Sequence, residues 1–259
     1  MSPATLRNIV ITGASKGIGA ELARQYAKAG VVLGLIGRNH SDLEKVSRDC
    51  KQRGATVICG QLDITDTSTL KNWLQNFDQQ HPVDLLICNA GITSQIGRQG
   101  EAESMKIITE VIDVNLLGTI RSIDAVLHNM RKRGRGQLAL VSSLAAYRGM
   151  PVTPAYCASK AAAKSYGEAL RGWLAPEGIW VNVICPGFVA SDMSNRFDAP
   201  KPFMISAEKA ARIIRHGLQK NHAIISFPFP LNLGMWFVSF LPFPLASFFL
   251  GLSGYNRSR

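Results

Sequence analysis

The chain is poor in acid, in cysteine and in unbroken apolar sequence. Its 259 residues carry 18 Asp and Glu against 29 Lys and Arg, and charged residues make up only 18%. The five cysteines, Cys50, Cys59, Cys88, Cys157 and Cys185, are odd in number, widely spaced and without a CxxC pair. That pattern argues against a disulfide framework and a structural zinc site, so no metal is expected. Cys59, Cys88 and Cys185 fall in apolar runs and read as small core residues, which suits a reducing compartment. The opening MSPATLRNIVITG lacks the apolar stretch of a secretion signal. No repeat or low-complexity tract is visible.

The formal charge of +11 suits nucleic acid, anionic lipid or phosphorylated small molecules. Its densest run, RKRGRG at 131–136, has no interleaved aromatics. It lies between a helical stretch and an apolar strand and reads as a solvated loop, so nucleic acid is not an expected partner.

With 46% apolar residues, the chain can bury a large core. Short runs rich in Val and Ile recur at 8–12, 31–37, 55–61, 84–90, 137–143, 179–185 and 223–227. Helix-like segments lie between them at 17–29, 40–53, 66–79, 101–133, 155–176 and 206–219. Ser41, ahead of Glu44, and Thr65 read as helix caps. The runs are apolar on both sides, as strands are when helices cover both faces. This predicts an α/β fold: a doubly wound, mostly parallel seven-stranded sheet of Rossmann type. Ligands then bind at the carboxyl ends of the strands.

Those ends carry the chemistry. The first strand runs into TGASKGIG, where Gly13, Gly17 and Gly19 form a glycine turn feeding a helix. Such a turn lets main-chain N–H groups approach a pyrophosphate. After the second strand comes Arg38, where a site preferring NAD would have an acid for the ribose hydroxyl. With Lys16 inside the turn, two cations suit a 2′-phosphate, which points to NADP(H). Asp63 ends the third strand, as an acceptor for adenine or as a helix cap. Asn89, Ala90 and Gly91 end the fourth, with small residues for close approach and an amide to tie strands together. The fifth ends in Ser143. Thirteen residues on comes Tyr156, and four further Lys160, on one helical face. A free phenol has a pKa of about 10, and a neighbouring ammonium is expected to lower it.

TGxxxGxG, CNAG, the Ser143–Tyr156–Lys160 set and Pro186-Gly187 together resemble the short-chain dehydrogenase/reductase family, over about residues 7–220. The resemblance implies hydride transfer between nicotinamide and a carbonyl/alcohol pair. It makes Tyr156 the general acid/base, with Lys160 holding the nicotinamide ribose and depressing the Tyr156 pKa. Ser143 would orient the reacting oxygen, and Asn115 would support a water-mediated proton relay. It adds Ser15, Ile18, Pro186, Gly187 and Val189 to the cofactor residues, with Ile92 and Val189 flanking the nicotinamide and Ser191 contacting its carboxamide. It also suggests a homodimer or homotetramer. A soluble ketoacyl reductase and a catalytically silent NADP-binding sensor remain as rivals.

From Ala223 to Asn256 the sequence has no charged residue and no histidine, and here it departs from the family. The expected division is a catalytic domain, 1–228, and a hydrophobic extension, 229–259. A spanning helix needs about 20 apolar residues. Prolines cut this stretch into pieces of about eleven and eight residues. A monotopic anchor, a lid over the pocket and a subunit interface remain open. The basic segment before it, with Lys209, Arg212, Arg215 and Lys220, favours peripheral membrane contact through 206–259, helped by Arg257 and Arg259. The expected setting is the cytoplasm, on the inner face of a membrane, and the expected substrate a lipophilic ketone or alcohol.

Overall fold

The computed structural model describes residues 6–97, 100–195 and 200–252. Arg257 and Arg259 lie outside them.

Seven strands form one parallel sheet: β1 Asn8–Thr12, β2 Val32–Gly37, β3 Thr56–Gln61, β4 Leu85–Cys88, β5 Gly136–Val141, β6 Ile179–Pro186 and β7 Ile224–Phe227. Their order is β3-β2-β1-β4-β5-β6-β7, and every pairing is parallel. Side chains alternate across a strand, so Ile9 and Ile11 pack on one face and Val10 on the other. On the first face lie α1 (Gly17–Tyr26), α2 (His40–Gln52) and α8 (Ala207–Gln219). On the second lie α3 (Thr67–Gln80), α5 (Gly118–Arg133) and α6 (Pro154–Leu174). This is the doubly wound Rossmann-type fold. The order reverses at β1 and β4, which opens the cleft where such sheets bind ligands.

The segment 101–133 is not one regular helix. It starts at α4 (Met105–Ile112), passes through a π-helical turn, Asp113–Leu117, and continues as α5. Two expected caps are corrected. Asn39 caps α2 by accepting from Asp42 N at 3.0 Å, while Ser41 sits inside the helix and donates to Asn39. Asp66 caps α3 by accepting from Thr69 N at 3.1 Å, whereas Thr65 bonds Asp63. The basic run 131–136 is largely solvated as expected, but its first three residues are the last turn of α5 rather than loop. Arg131 pairs with Glu177 through two nitrogens, and Arg133 grips the buried Asp78 the same way. Such forked pairs hold the end of α5 more firmly than single surface contacts.

α8 likewise differs from the expected interfacial helix. Its apolar stripe, Ala210, Ala211, Ile214 and Leu218, is buried in the sheet's first core. A Cβ on Gly217 would press on Ile225. Its cations are a solvated outer face, with Arg215 over the Tyr26 ring. The extension itself forms two short helices, α9 (Leu231–Phe240) and, after a short α7 (Asp192–Asn195) earlier in the chain, α10 (Phe243–Leu252). Leu231 and Met235 of α9 pack on Leu144, Val183, Cys185 and Tyr147. Among the described residues no helix is long and apolar enough to cross a membrane.

Candidate active site

The glycine turn closes over β1 because side chains would not fit. Gly13 has φ +64°, and a Cβ there would lie 2.7 Å from Ala90 Cα. A Cβ on Gly19 would strike Gly13 O and the Asn89 amide. Gly17, at φ +56°, faces Ser191, whose Cβ would be 3.6 Å from an added Cβ. Lys16 precedes α1 and contributes no side-chain cap, so the first-turn N–H groups of this ten-residue helix have no side-chain acceptor. Main-chain donors at the positive end of a helix beside a side-chain-free cradle fit a pyrophosphate. The residues present therefore suit a dinucleotide. Ser15 lies over the end of β2, 3.3 Å from where a Gly37 Cβ would stand, and Ile18 packs against the first core.

β4 is tied to β1 at this point. Asn89 Nδ2 donates to Thr12 O and Gly13 O, each at 3.0 Å. The buried Thr12 hydroxyl accepts from Asn89 N at 3.0 Å and Ala90 N at 3.1 Å.

The two cations have carboxylate neighbours. Lys16 Nζ lies 3.0 Å from Asp192 and 3.2 Å from Asp42, and the Asp192 hydrogen bond leads in raising its pKa. Arg38 pairs with Asp63 at 3.4 Å. Burial pushes Asp63 up, but hydrogen bonds from Thr65 and the pairing with Arg38 outweigh it, and its pKa falls. Asp63 therefore does not cap α3; it closes a turn on Thr65 and keeps its second oxygen on Arg38.

Ser143, Tyr156 and Lys160 come together where β5 ends and α6 begins. Proline at the first position of α6 suits a helix start, since its missing N–H would have no partner there. Lys160 is buried, with Nζ donating to Val141 O at 2.9 Å and lying 5.7 Å from the centre of the Tyr156 ring. Ser142 clamps the same turn, its Oγ donating to Lys160 O at 2.7 Å. Ser143 Oγ accepts from Ala145 N at 3.1 Å and reaches Pro186 O at 3.5 Å. Gly187 N donates to Phe227 O at 2.7 Å, and a Cβ on Gly187 would meet Pro228, Leu231 and Leu144. Val189 bridges to Ile205, and Ser191 Oγ donates to Val189 O at 3.2 Å.

Asn115 sits in the π turn and is buried. Its amide donates to Ile92 O at 3.0 Å and Ser159 Oγ at 2.9 Å, and its oxygen accepts from Ile92 N at 2.8 Å. Ser159 Oγ in turn donates to Tyr156 O at 2.8 Å. Asn115 thus links the end of β4 to the helix carrying Tyr156; its side chain is committed to that link. A Cβ on Gly91 would be 3.1 Å from Asn115 Oδ1 and 3.3 Å from Lys160 Nζ, so three motifs distant in sequence converge on one spot. The π turn is where the helix bends out of register, a distortion frequent at functional sites.

The electrostatics correct one expectation. Burial pushes the Tyr156 phenol up to about 12; a hydrogen bond with Ser143 works the other way without overcoming it. Burial pulls Lys160 down to about 8. Lys160 is not among the groups that lower the phenol; its ammonium is hydrogen-bonded to Val141 O.

Sequence reasoning missed Thr12, Ser159 and Glu103. Glu103 accepts from Ala155 N at 2.9 Å and from the Ser94 hydroxyl, while Thr153 Oγ1 donates to Ser94 O at 2.6 Å. This latch joins the loop after β4 to the start of α6, one residue before Tyr156. Ser159, three residues after Tyr156, had a helical spacing that marked it. Glu103 had no local signal.

A dinucleotide cradle at the switch point beside a Ser–Tyr–Lys constellation defines a nicotinamide-dependent oxidoreductase. The model of the short chain dehydrogenase family matches residues 7–202. The chain belongs to that family. An uncharacterized oxidoreductase of Myxococcus xanthus is 33% identical over 248 residues, 95% of this chain and 96% of the relative. Ketoacyl reductase HetN of Nostoc is 32% identical over 214 residues, 81% of this chain and 74% of the relative. The solved structure of ElxO with NADP bound superposes with a TM-score of 0.76 at 21% identity, covering 86% of this chain and 97% of that one.

Proposed function

We propose that the protein is an NADP(H)-dependent reductase of a ketone on a lipophilic, steroid-like or long-chain substrate. The observation that carries this is the meeting of Ser143, Tyr156 and Lys160 beside Gly91 and Asn115 at the switch point. A nicotinamide dinucleotide, when bound, supplies the hydride. Gly13, Ser15, Lys16, Gly17, Ile18 and Gly19 would hold its pyrophosphate side. Asp63, Asn89, Ala90 and Gly91 would line its adenosine side and the crossing between strands. Pro186, Gly187, Val189 and Ser191 would flank the nicotinamide. Arg38 with Lys16 would hold the 2′-phosphate. Both are exposed enough to exchange a carboxylate for a phosphate, and no acid stands at Gly37, Arg38 or Asn39.

Reduction places negative charge on the carbonyl oxygen. Ser143 and Tyr156 are donors for that charge. At neutral pH the phenol retains its proton, so it is neutral and able to act as the general acid of reduction. Oxidation of an alcohol needs the phenolate and is favoured only at high pH. Lys160 would hold the nicotinamide ribose. Asn115 keeps α6 against the end of β4 and would support return of the proton from solvent.

The apolar wall of Leu144, Tyr147, Leu231 and Met235 beside Ser143 and Gly187 supports a lipophilic substrate. In this reading the enzyme is a homodimer or homotetramer working as a peripheral protein on the inner face of a membrane, with 229–259 as its docking element. A ketone panel assayed with NADPH, with and without lipid, tests it. Turnover of steroid-like or long-chain ketones over short ones is expected. Preference for carrier-bound ketoacyl groups would instead favour the second reading, which the resemblance to the Nostoc ketoacyl reductase supports. No turnover of any carbonyl would favour a silent sensor.

A further inference from the structure

We infer that α9 and α10 form a one-leaflet docking element for an anionic lipid surface, placed so that a ketone enters the cleft from the lipid. The inference extends the peripheral-enzyme reading by naming the partner and the residues that meet it.

Each helix has ten residues, about 15 Å at 1.5 Å per residue, half of a ~30 Å hydrocarbon core. Each has one inward face. Leu231 and Met235 pack on the wall beside Ser143, and Ala246 and Leu250 are buried. The outward face is aromatic: Trp236 is 49% exposed, Phe237 56%, Phe240 69%, Phe243 75% and Phe248 61%. At roughly 200 Å² per ring residue, these five show on the order of 600 Å², at the upper end for a monomer's largest apolar patch.

Charge selects the occupant. No Asp or Glu follows Glu208 to the end of the chain, so α9 and α10 carry no acid. Arg148 stands over the Phe243 ring at 5.7 Å, a cation at the patch itself. Exposed aromatic rings with a guanidinium over one of them and no acid among them match the interface of an anionic membrane, where rings sit at headgroup depth and guanidinium groups meet phosphates. The same element reaches the catalytic cleft: Leu231 touches the space over Gly187 and packs on Leu144, the residue after Ser143.

The test uses the full chain and vesicles of phosphatidylcholine, with or without about one third phosphatidylglycerol. Wild type is expected to sediment with the anionic vesicles at least ten-fold more than with neutral ones, less so in high salt. The variant F237S/F240S/F243S should lose that binding while keeping NADPH affinity and turnover of a small water-soluble ketone. Should that variant fold poorly, brominated lipid provides a second measurement. It should quench wild-type tryptophan fluorescence, and Trp236→Phe should abolish most of the quenching. Wild type that ignores both vesicles, or a variant that binds like wild type, overturns the inference. So does a wild-type dimer that the substitutions dissociate without any vesicle binding. Loss of docking with turnover intact and loss of turnover with docking intact are separate results, so failure here is distinguishable from failure of the reductase reading.

Discussion

Replacing Lys160 with Met should make the cofactor-free protein more stable while removing its activity. Burial lowers the Lys160 pKa from the ordinary 10.5 to about 8. At 1.36 kcal/mol per pH unit, that gap amounts to about 3 kcal/mol of native-state destabilisation at neutral pH. Met has a similar volume and no charge to desolvate. It loses the hydrogen bond to Val141, about 1 kcal/mol, which leaves a net gain of about 2 kcal/mol. For a chain of this size that is about 5 °C in melting temperature. The pH dependence follows from the sign of the shift. Between pH 8 and 10.5 the unfolded wild-type chain holds one more proton than the native state. Wild-type stability therefore climbs with pH across that window, and the advantage of K160M shrinks towards pH 10. Urea unfolding of both proteins at pH 7 and pH 10 reads this directly. A variant no more stable than wild type at pH 7, or an advantage undiminished at pH 10, would refute the reasoning.

Three further outcomes follow from the site. The kcat/KM for reduction should fall above about pH 8, as Lys160 loses its proton, because Tyr156, held near 12, does not limit there; a profile flat to pH 10 would contradict this. Arg38→Ala should weaken NADPH by roughly 10- to 100-fold, the worth of a charge-assisted contact of about 1.5–3 kcal/mol, with NADH little changed. Equal effects in titrations of the two cofactors would remove the 2′-phosphate assignment. Glu103→Ala should raise the KM for ketone by about 10-fold through loss of its bond to Ala155 N, leave NADPH affinity unchanged, and be largely rescued by Glu103→Gln. An E103A enzyme that loses thermal stability alone would leave no positioning role for the latch.

The strands were legible because a parallel sheet covered on both faces demands apolar runs of limited length. Tyr156 and Lys160 were legible because one helical turn separates them, and the glycine turn because its spacing fits only where side chains are excluded. What the sequence hid depends on distance along the chain. Lys16 meets Asp192, 176 residues on, and Glu103 meets the start of α6, 52 residues on. The direction of the Tyr156 shift was hidden too, because it follows from how deeply neighbours bury the phenol rather than from the identity of the nearest cation. The basic stripe of α8 misled because charge marks the solvated face of a helix whether or not its other face is already covered, and here α1 and the sheet cover it.

The central claim is that the Tyr156 hydroxyl delivers the proton of a carbonyl reduction. Tyr156→Phe removes that oxygen and little else, so the direct measurement is single-turnover NADPH oxidation with a ketone that wild type reduces, alongside NADPH binding. The account predicts unchanged binding and a rate lower by about three orders of magnitude or more, in line with loss of a general acid and an oxyanion donor. A variant that reduces the ketone within ten-fold of wild type would contradict it.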